Sequence, residues 1–389
     1  MTFEKKDRSE NFGCSKTQNP TPVSLSLHKS TLDFLIEHSC LPAQGNHLRR
    51  LTTFAAMVCS CVRNRSSTLE SLCHAEFQGG RSSESCLRQA KRWLCSKWTD
   101  WESFYAPYAG QFVAQLARSG ELLLVIDGSV SGRDCVTLMI SVVWGRYALP
   151  LAWVTRQGAK GHFTEASHIE LVSAVGRMLP PSGCRVVLLG DGEFDGQRLR
   201  ACCQAMNWEY VLRTSMDALV DCGGETAHVG ELCPEPGHQQ VFLPHACQGD
   251  NAVLWWGTGH ERPVPLLTNM DLGQMACHYY CRRFTIETLF KHFKSAGFQL
   301  QKSALSDAGR VQNLILVVAM AFLFTFCMGL IASGLDHGQI RVFARADRAK
   351  LMAPITLAQK CITWAWHMAV AFFSDLVKNW NVFFSQPAP

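Results

Sequence analysis

Residues 314–333, LILVVAMAFLFTFCMGLIAS, run for twenty positions without one charged side chain. A helix of that composition has two stable surroundings: a bilayer with a hydrocarbon core about 30 Å thick, or the centre of a protein core large enough to enclose it. A chain of 389 residues that is 47% hydrophobic and 18% charged has the material for such a core. No second run of this kind occurs in the sequence, and this one follows directly on a charge-dense segment that carries candidate chemistry. The expectation is a central core helix with no membrane association; a single-span membrane protein is the less favoured alternative.

Thirty-seven Lys and Arg against 32 Asp and Glu leave a net charge of +5, which permits a polyanionic partner without demanding one. Eighteen cysteines are scattered through the chain behind a start without an apolar signal segment, so reduced thiols in the cytosol are expected. Cys59 with Cys61, Cys202 with Cys203, and Cys277 with Cys281 each lack a second pair at ligand spacing, and no structural zinc is expected.

Residues 1–22 are polar and aperiodic, which reads as a disordered tail. Residues 23–118 have helical periodicity. Within them SSESCLRQAKRWLCSKW alternates apolar positions with Arg88, Lys91, Arg92 and Lys97, giving an amphipathic element with a cationic side. These four are candidate DNA contacts, although an ordinary solvated helix face has the same pattern. At Glu121 the period becomes extended: LLLVIDGS, CVTLMISVVW and RYALPLAWV read as two hairpin-linked antiparallel strands followed by a third. Thr164 is placed to cap a helix over EASHIELVSAVGRM that stops at Pro180-Pro181-Ser182-Gly183. RVVLLGD reads as a buried parallel strand ending in an acid, followed by a helix at 197–206 and the strand EYVLR. The order β-β-β-α-β-α-β is that of a ribonuclease-H-like fold. The expected class is therefore α/β, with a ribonuclease-H-like mixed-sheet catalytic core at 119–213 and 276–333. A β-rich insertion at 214–275 interrupts it, and helical regions at 23–118 and 334–389 flank it.

Asp127 ends the first strand and Asp191 ends the parallel strand expected beside it, so two carboxylates meet at one sheet edge, where a divalent metal is the usual way to hold them together. Downstream, CHYYCRRFTIETLFKHFKSAGF spaces Tyr280, Arg283, Glu287 and Lys294 by 3, 4 and 7 residues. On a continuous helix at about 100° per residue they fall at about 0°, 300°, 340° and 320°, within one arc of about 60°. Ile286, Leu289, Phe290 and Phe293 form an adjoining apolar face. A structural helix with solvated ion pairs has the same pattern.

Tyr280-x2-Arg283-x3-Glu287-x6-Lys294, downstream of Asp127 and Asp191, resembles the Y-R-E-K signature of the DDE transposases of bacterial insertion sequences, in the family numbered four. Leu266-Leu267-Thr268-Asn269 resembles that family's last insertion strand, the apolar segment after Arg310-Val311-Gln312-Asn313 its closing core helix, and residues 48–108, more loosely, its N-terminal helical region. The resemblance implies a cut-and-paste transposase in which Asp127, Asp191 and Glu287 bind two Mg²⁺ or Mn²⁺ ions while Arg283, Lys294 and Tyr280 engage the DNA end. It also implies DNA partners (the element's terminal inverted repeats and a target), a homodimer in the synaptic complex, and a bacterial, nucleoid-associated location in the cytoplasm. The second acid departs from the family's usual DRGF-like turn: here Asp191-Gly192-Glu193-Phe194-Asp195 offers Glu193 and Asp195 as alternates. Where some relatives have a base-stacking Trp, this chain has Pro263-Val264-Pro265; Trp255 and Trp256, one strand earlier, are substitutes, with strand pairing as their other reading. A catalytically inactive DNA-binding relative is the alternative within the same class.

Overall fold

Strands begin where the sequence period changes. β1 (Glu121–Gly132), β2 (Cys135–Trp144) and β3 (Tyr147–Gln157) form an antiparallel meander, and every residue of β2 except Val143 is buried. In this computed structural model, residues 22–73, 81–158, 161, 163–180, 183–235, 240–257, 260–344 and 352–385 are described. The disordered tail expected at 1–22 lies outside them except for Pro22, which opens a helix, as does the 345–350 part of the basic segment near the C-terminus.

After β3, α6 (Glu165–Met178) packs on β2 and β3 and returns the chain to β4 (Arg185–Gly190), which runs parallel to β1. Thr164 occupies the N-cap position of α6, but its hydroxyl bonds the Ser167 hydroxyl (3.0 Å) rather than a backbone N–H. α7 (Gln197–Ala205) then leads to β5 (Glu209–Arg213), parallel to β4. Parallel neighbours buried on both faces require uniformly apolar strands, and VVLLG and YVL satisfy this.

The segment after β5 forms a small hairpin, β6 (Leu219–Asp221) with β7 (Thr226–His228), and then β8 (Gln240–Cys247), β9 (Asp250–Trp255) and β10 (Val264–Thr268). These last three strands join the main sheet: β10 pairs antiparallel with β5, giving one eight-stranded sheet in the order β3-β2-β1-β4-β5-β10-β9-β8. A second, smaller apolar cluster around Val220, Val229, Ala252, Leu254 and Leu267 fills the space between the hairpin and these strands. The protein is thus a mixed α/β protein whose eight-stranded sheet contains parallel pairs, with helical regions at both ends of the chain.

The N-terminal helices are α1 (Pro22–Glu37), α2 (Gly45–Asn64), α3 (Ser83–Leu94), α4 (Trp101–Phe104) and α5 (Ala106–Leu116). Beyond the sheet lie α8 (Gly273–Tyr280), α9 (Thr285–Phe293), α10 (Ala308–Ser333), α11 (His337–Ile340), α12 (Pro354–Trp364), α13 (Trp366–Lys378) and α14 (Trp380–Phe383). α10 contains the charge-free run, and 89% of its most apolar 18-residue stretch is buried inside the protein. It packs on β1, β2 and β3 and against α2, α3, α12 and α13. Two of its buried polar side chains are matched: Asn313 donates to the Leu94 carbonyl (2.9 Å) and Thr325 to the Ala321 carbonyl (2.7 Å). At Gly329 a Cβ would come within 2.0 Å of the Pro354 carbonyl oxygen, so only glycine permits the close crossing of α10 and α12.

Both helical regions belong to the same hydrophobic core as the sheet. Phe34 of α1 packs on Tyr108, Phe324 and Trp380 with ring centroids 5.4, 5.5 and 5.1 Å away. Trp101 donates to the Leu151 carbonyl (2.7 Å) and Tyr105 to the Pro150 carbonyl (2.8 Å), tying α4 and its following residue to β3.

Candidate active site on strand β1 beside the end of β4

Asp127 and Asp191 are set beside each other by strand register. Contrary to expectation, β1 does not end at Asp127: Asp127 pairs with Met139 of β2 and the strand runs on to Gly132. Only the parallel pairing with β4 stops, at Ile126 opposite Gly190, so the next residues of the two chains are the two acids. Asp127 is only 4% exposed, and its carboxylate accepts the Gly128 N–H at 2.7 Å. Asp191 begins a tight turn in which its carboxylate accepts the Glu193 N–H (3.1 Å) and its carbonyl the Phe194 N–H (3.1 Å). The turn folds Phe194 back against β4: a Cβ at Gly190 would lie 2.9 Å from Phe194 Cβ. Of the alternate acids, Asp195 accepts the Thr214 hydroxyl (2.6 Å), whereas Glu193 carries an Oε2 that lies 4.0 Å from where a Cβ on Gly128 would be, next to Asp127.

The Y-R-E-K segment is not one continuous α-helix. A 3₁₀ turn, Cys281–Phe284, separates α8 from α9. Its tighter winding, three residues per turn, changes the angular relation expected between Tyr280 and the residues that follow. Tyr280 closes α8 and is buried, Arg283 sits in the turn, Glu287 is on α9 with its side chain 56% exposed, and Lys294 lies one residue past the end of α9. The apolar face holds as expected, with Ile286, Leu289, Phe290 and Phe293 all buried.

Arg283 connects the site. Its guanidinium lies 3.6 Å from Asp127 Oδ2, donates to Glu287 Oε1 at 2.9 Å, and stacks over the Phe284 ring at 4.4 Å. Burial works against its charge, but Tyr280, Asp127, Glu287 and Asp191 together outweigh that and hold its pKa above the ordinary arginine value. Tyr280 is also pushed up, first by burial and then by Asp191, while Arg283 and Arg213 pull the other way. Lys294 donates to the Ser129 hydroxyl at 2.7 Å, two residues along β1 from Asp127.

Among the described residues, no three His, Cys, Asp or Glu side chains converge closely enough to hold a metal ion. Asp127 and Asp191 are neighbours, and Glu287 meets Asp127 through Arg283. The donors themselves, hard carboxylate oxygens, are those that Mg²⁺ or Mn²⁺ takes.

His168, which the sequence reading passed over, lies on α6 beside the second acid's turn. It is 3% exposed with its ring 4.8 Å from that of Phe194, and burial lowers its pKa against the opposing pull of Glu165 and Asp191. A lone His in an amphipathic helix gives no signal; only the fold brings it to Phe194.

The other candidates lie elsewhere. Arg88, Lys91, Arg92 and Lys97 are all exposed; Arg88 pairs with Glu84 at 3.3 Å. Trp255 pairs opposite Gln240 and Val264 in the sheet and packs on His260 (4.9 Å), while the Trp256 indole donates to the His260 carbonyl (2.9 Å). Both are half-buried, Trp255 as the last residue of β9 and Trp256 at the start of the β9–β10 connection. A scan against protein-family models gave no match to this chain, and a search of curated proteins gave no relative.

Proposed function

We propose that this protein is a metal-dependent DNA transposase of the DDE type, built on a ribonuclease-H-like core. One observation carries the reading: the Ile126–Gly190 register, which makes Asp127 and Asp191 neighbours on adjacent parallel strands. The strand order β3-β2-β1-β4-β5 and the Arg283 link from Asp127 to Glu287 support it.

In this reading Asp127, Asp191 and Glu287 hold two Mg²⁺ or Mn²⁺ ions, which when bound activate an attacking oxygen and stabilise the leaving one. Arg283 then turns from the acids to a DNA phosphate, and Lys294 supplies a second cation beside the scissile bond. Tyr280, 2% exposed, supports Arg283 from below rather than meeting DNA directly. The exposed cations at Arg88, Lys91, Arg92 and Lys97 contribute sequence-independent phosphate contacts. Trp255 and Trp256 keep only a secondary place as base-stacking candidates. The partners are the element's own terminal repeats and a target DNA, engaged by a homodimer in the bacterial cytoplasm.

The test pairs a cleavage assay with a gel shift on plasmid DNA carrying the ends that flank the gene, in Mg²⁺. The wild-type protein is expected to nick and join; Asp127→Ala, Asp191→Ala and Glu287→Ala are expected to bind but not cut. Wild-type cutting by Asp127→Ala or Asp191→Ala sinks the reading, and cutting by Glu287→Ala alone transfers the third acid's role to Glu193. A second reading, a DNA-binding relative that no longer cuts, is favoured by the 56% exposure of Glu287 and its contact with Arg283 in place of a tight acid cluster. Under it the wild type itself binds without cutting.

A further inference from the structure

We propose that Trp98 is a base-stacking residue that receives an unpaired base of bound nucleic acid. The inference rests on DNA being the partner proposed above, but not on any cutting activity.

Trp98 is 61% exposed, whereas Trp93, five residues earlier, is 4% exposed and donates its indole N–H to the Arg50 carbonyl at 3.1 Å. The turn that presents Trp98 is fixed on both sides. Its own N–H donates to the Ser96 hydroxyl (3.2 Å), the Thr99 N–H to the Ser96 carbonyl (3.1 Å), and the Cys95 N–H to the Lys91 carbonyl (3.1 Å). Thr99 is buried, and Asp100 caps α4 through the Ser103 N–H at 2.7 Å. The indole is therefore held out on a pinned support, which limits the ordering entropy lost on stacking.

Two cations flank the ring: Lys97 Nζ lies 5.3 Å from its centroid and the Arg50 guanidinium 5.8 Å. Lys91 and Arg92, exposed in the last turn of α3, extend the positive field, and none of these four has an ion-pair partner among the described residues. A flat π surface with two cations close over it matches a ligand with a flat ring bracketed by phosphates. Duplex DNA keeps its base faces stacked inside and leaves the indole without a ring to stack on; an unpaired base offers a face. A bilayer is the poorer match, because Trp98 is the only exposed large apolar side chain on α3 and the turn after it.

The experiment measures anisotropy of labelled oligonucleotides with the full chain and its Trp98→Ala and Trp98→Phe variants across a series of salt concentrations. The probes are a short oligothymidylate, a blunt duplex, and the same duplex with a single-stranded overhang. Trp98→Ala is expected to weaken the oligothymidylate and overhang probes about ten-fold, leaving blunt-duplex affinity and the salt slope unchanged, and Trp98→Phe to restore most of the loss. Equal losses on all three probes, or none on any, overturn the proposal, as does Trp98-dependent binding to phosphatidylserine vesicles without a change on DNA. Failure to cut DNA leaves these readouts intact, so the transposase reading fails separately.

Discussion

The Arg283 guanidinium lies 3.6 Å from the Asp127 carboxylate, where both side chains are less than a tenth exposed, and so offsets the charge of an acid buried in the middle of β1. Removing one member of a buried pair leaves the other uncompensated, at a cost of about 3–5 kcal/mol. Arg283→Gln is therefore expected to melt well below wild type in EDTA and, under the metal-binding reading proposed above, to regain much of that loss in Ca²⁺, which would take Arg283's place among the acids. Wild type, in which the side chain competes with the ion, is expected to gain less from Ca²⁺. Calorimetry of both proteins with and without Ca²⁺ measures the difference, and equal Ca²⁺ gains would sink the idea.

The crossing of α10 and α12 gives a second expectation. A Cβ at Gly329 meets the Pro354 carbonyl oxygen at 2.0 Å, backbone that cannot swing aside. Gly329→Ala should destabilise by about 1–3 kcal/mol through overpacking, despite the better helix propensity of alanine. Urea denaturation reads this directly; a neutral or stabilising result would show that the two helices separate freely.

Acid should weaken the fold through its buried histidines. His28, His168 and His292 all sit below the ordinary value of 6.5, chiefly because they are buried; the Thr52 carbonyl opposes this at His28, Glu165 and Asp191 oppose it at His168, and Lys291 adds to it at His292. A depressed folded-state pKa means that below 6.5 the unfolded chain takes up protons that the folded one does not, so stability is present above that pH and lost as pH falls through it. Melting temperature should thus fall between about pH 7 and pH 5, and His168→Phe should flatten part of the slope. A slope unchanged in that variant would place the titration at the other histidines.

Truncation tests how far the N-terminal region is separable. Phe34, Phe54, Tyr105 and Phe112 belong to the same buried cluster as the sheet strands and α10. Deleting residues 1–118 should therefore yield a chain that fails to fold cooperatively. A sharp melting transition in the fragment 119–389 would show that the sheet has a core of its own.

What the sequence makes legible follows the range of the forces involved. β1 to β5, α6 and α7 can be read because local alternation, apolar runs and the Pro180 stop all act within a few residues. Asp127 and Asp191 can be paired because strand order alone sets their register. The 3₁₀ turn at Cys281–Phe284 has no such local mark: CRRF contains neither Gly nor Pro, and the turn is held by distant partners, Arg282 on the Gly145 carbonyl (3.0 Å) and Arg283 on Asp127. The pairing of β10 with β5 is likewise hidden, because the short apolar run VPLLT, buried throughout, fits an insertion hairpin as well as an extension of the main sheet. Trp98 follows the same logic, since exposure is a property of the finished surface rather than of the residue.

The position of α10 along the chain also bears on how the protein is made. The strands and helices β1, β2, β3, α2 and α3 that enclose it all precede it, and only α12 and α13 among its principal neighbours follow. Synthesis proceeds from the N-terminus at about 5–20 residues per second, so a receiving surface can assemble before the apolar segment leaves the ribosome. A lesion that delays that surface hands the targeting machinery a segment with the length and composition of a membrane anchor. Mutations in α2 or β3 should then cause mislocalisation of the nascent chain as well as loss of stability.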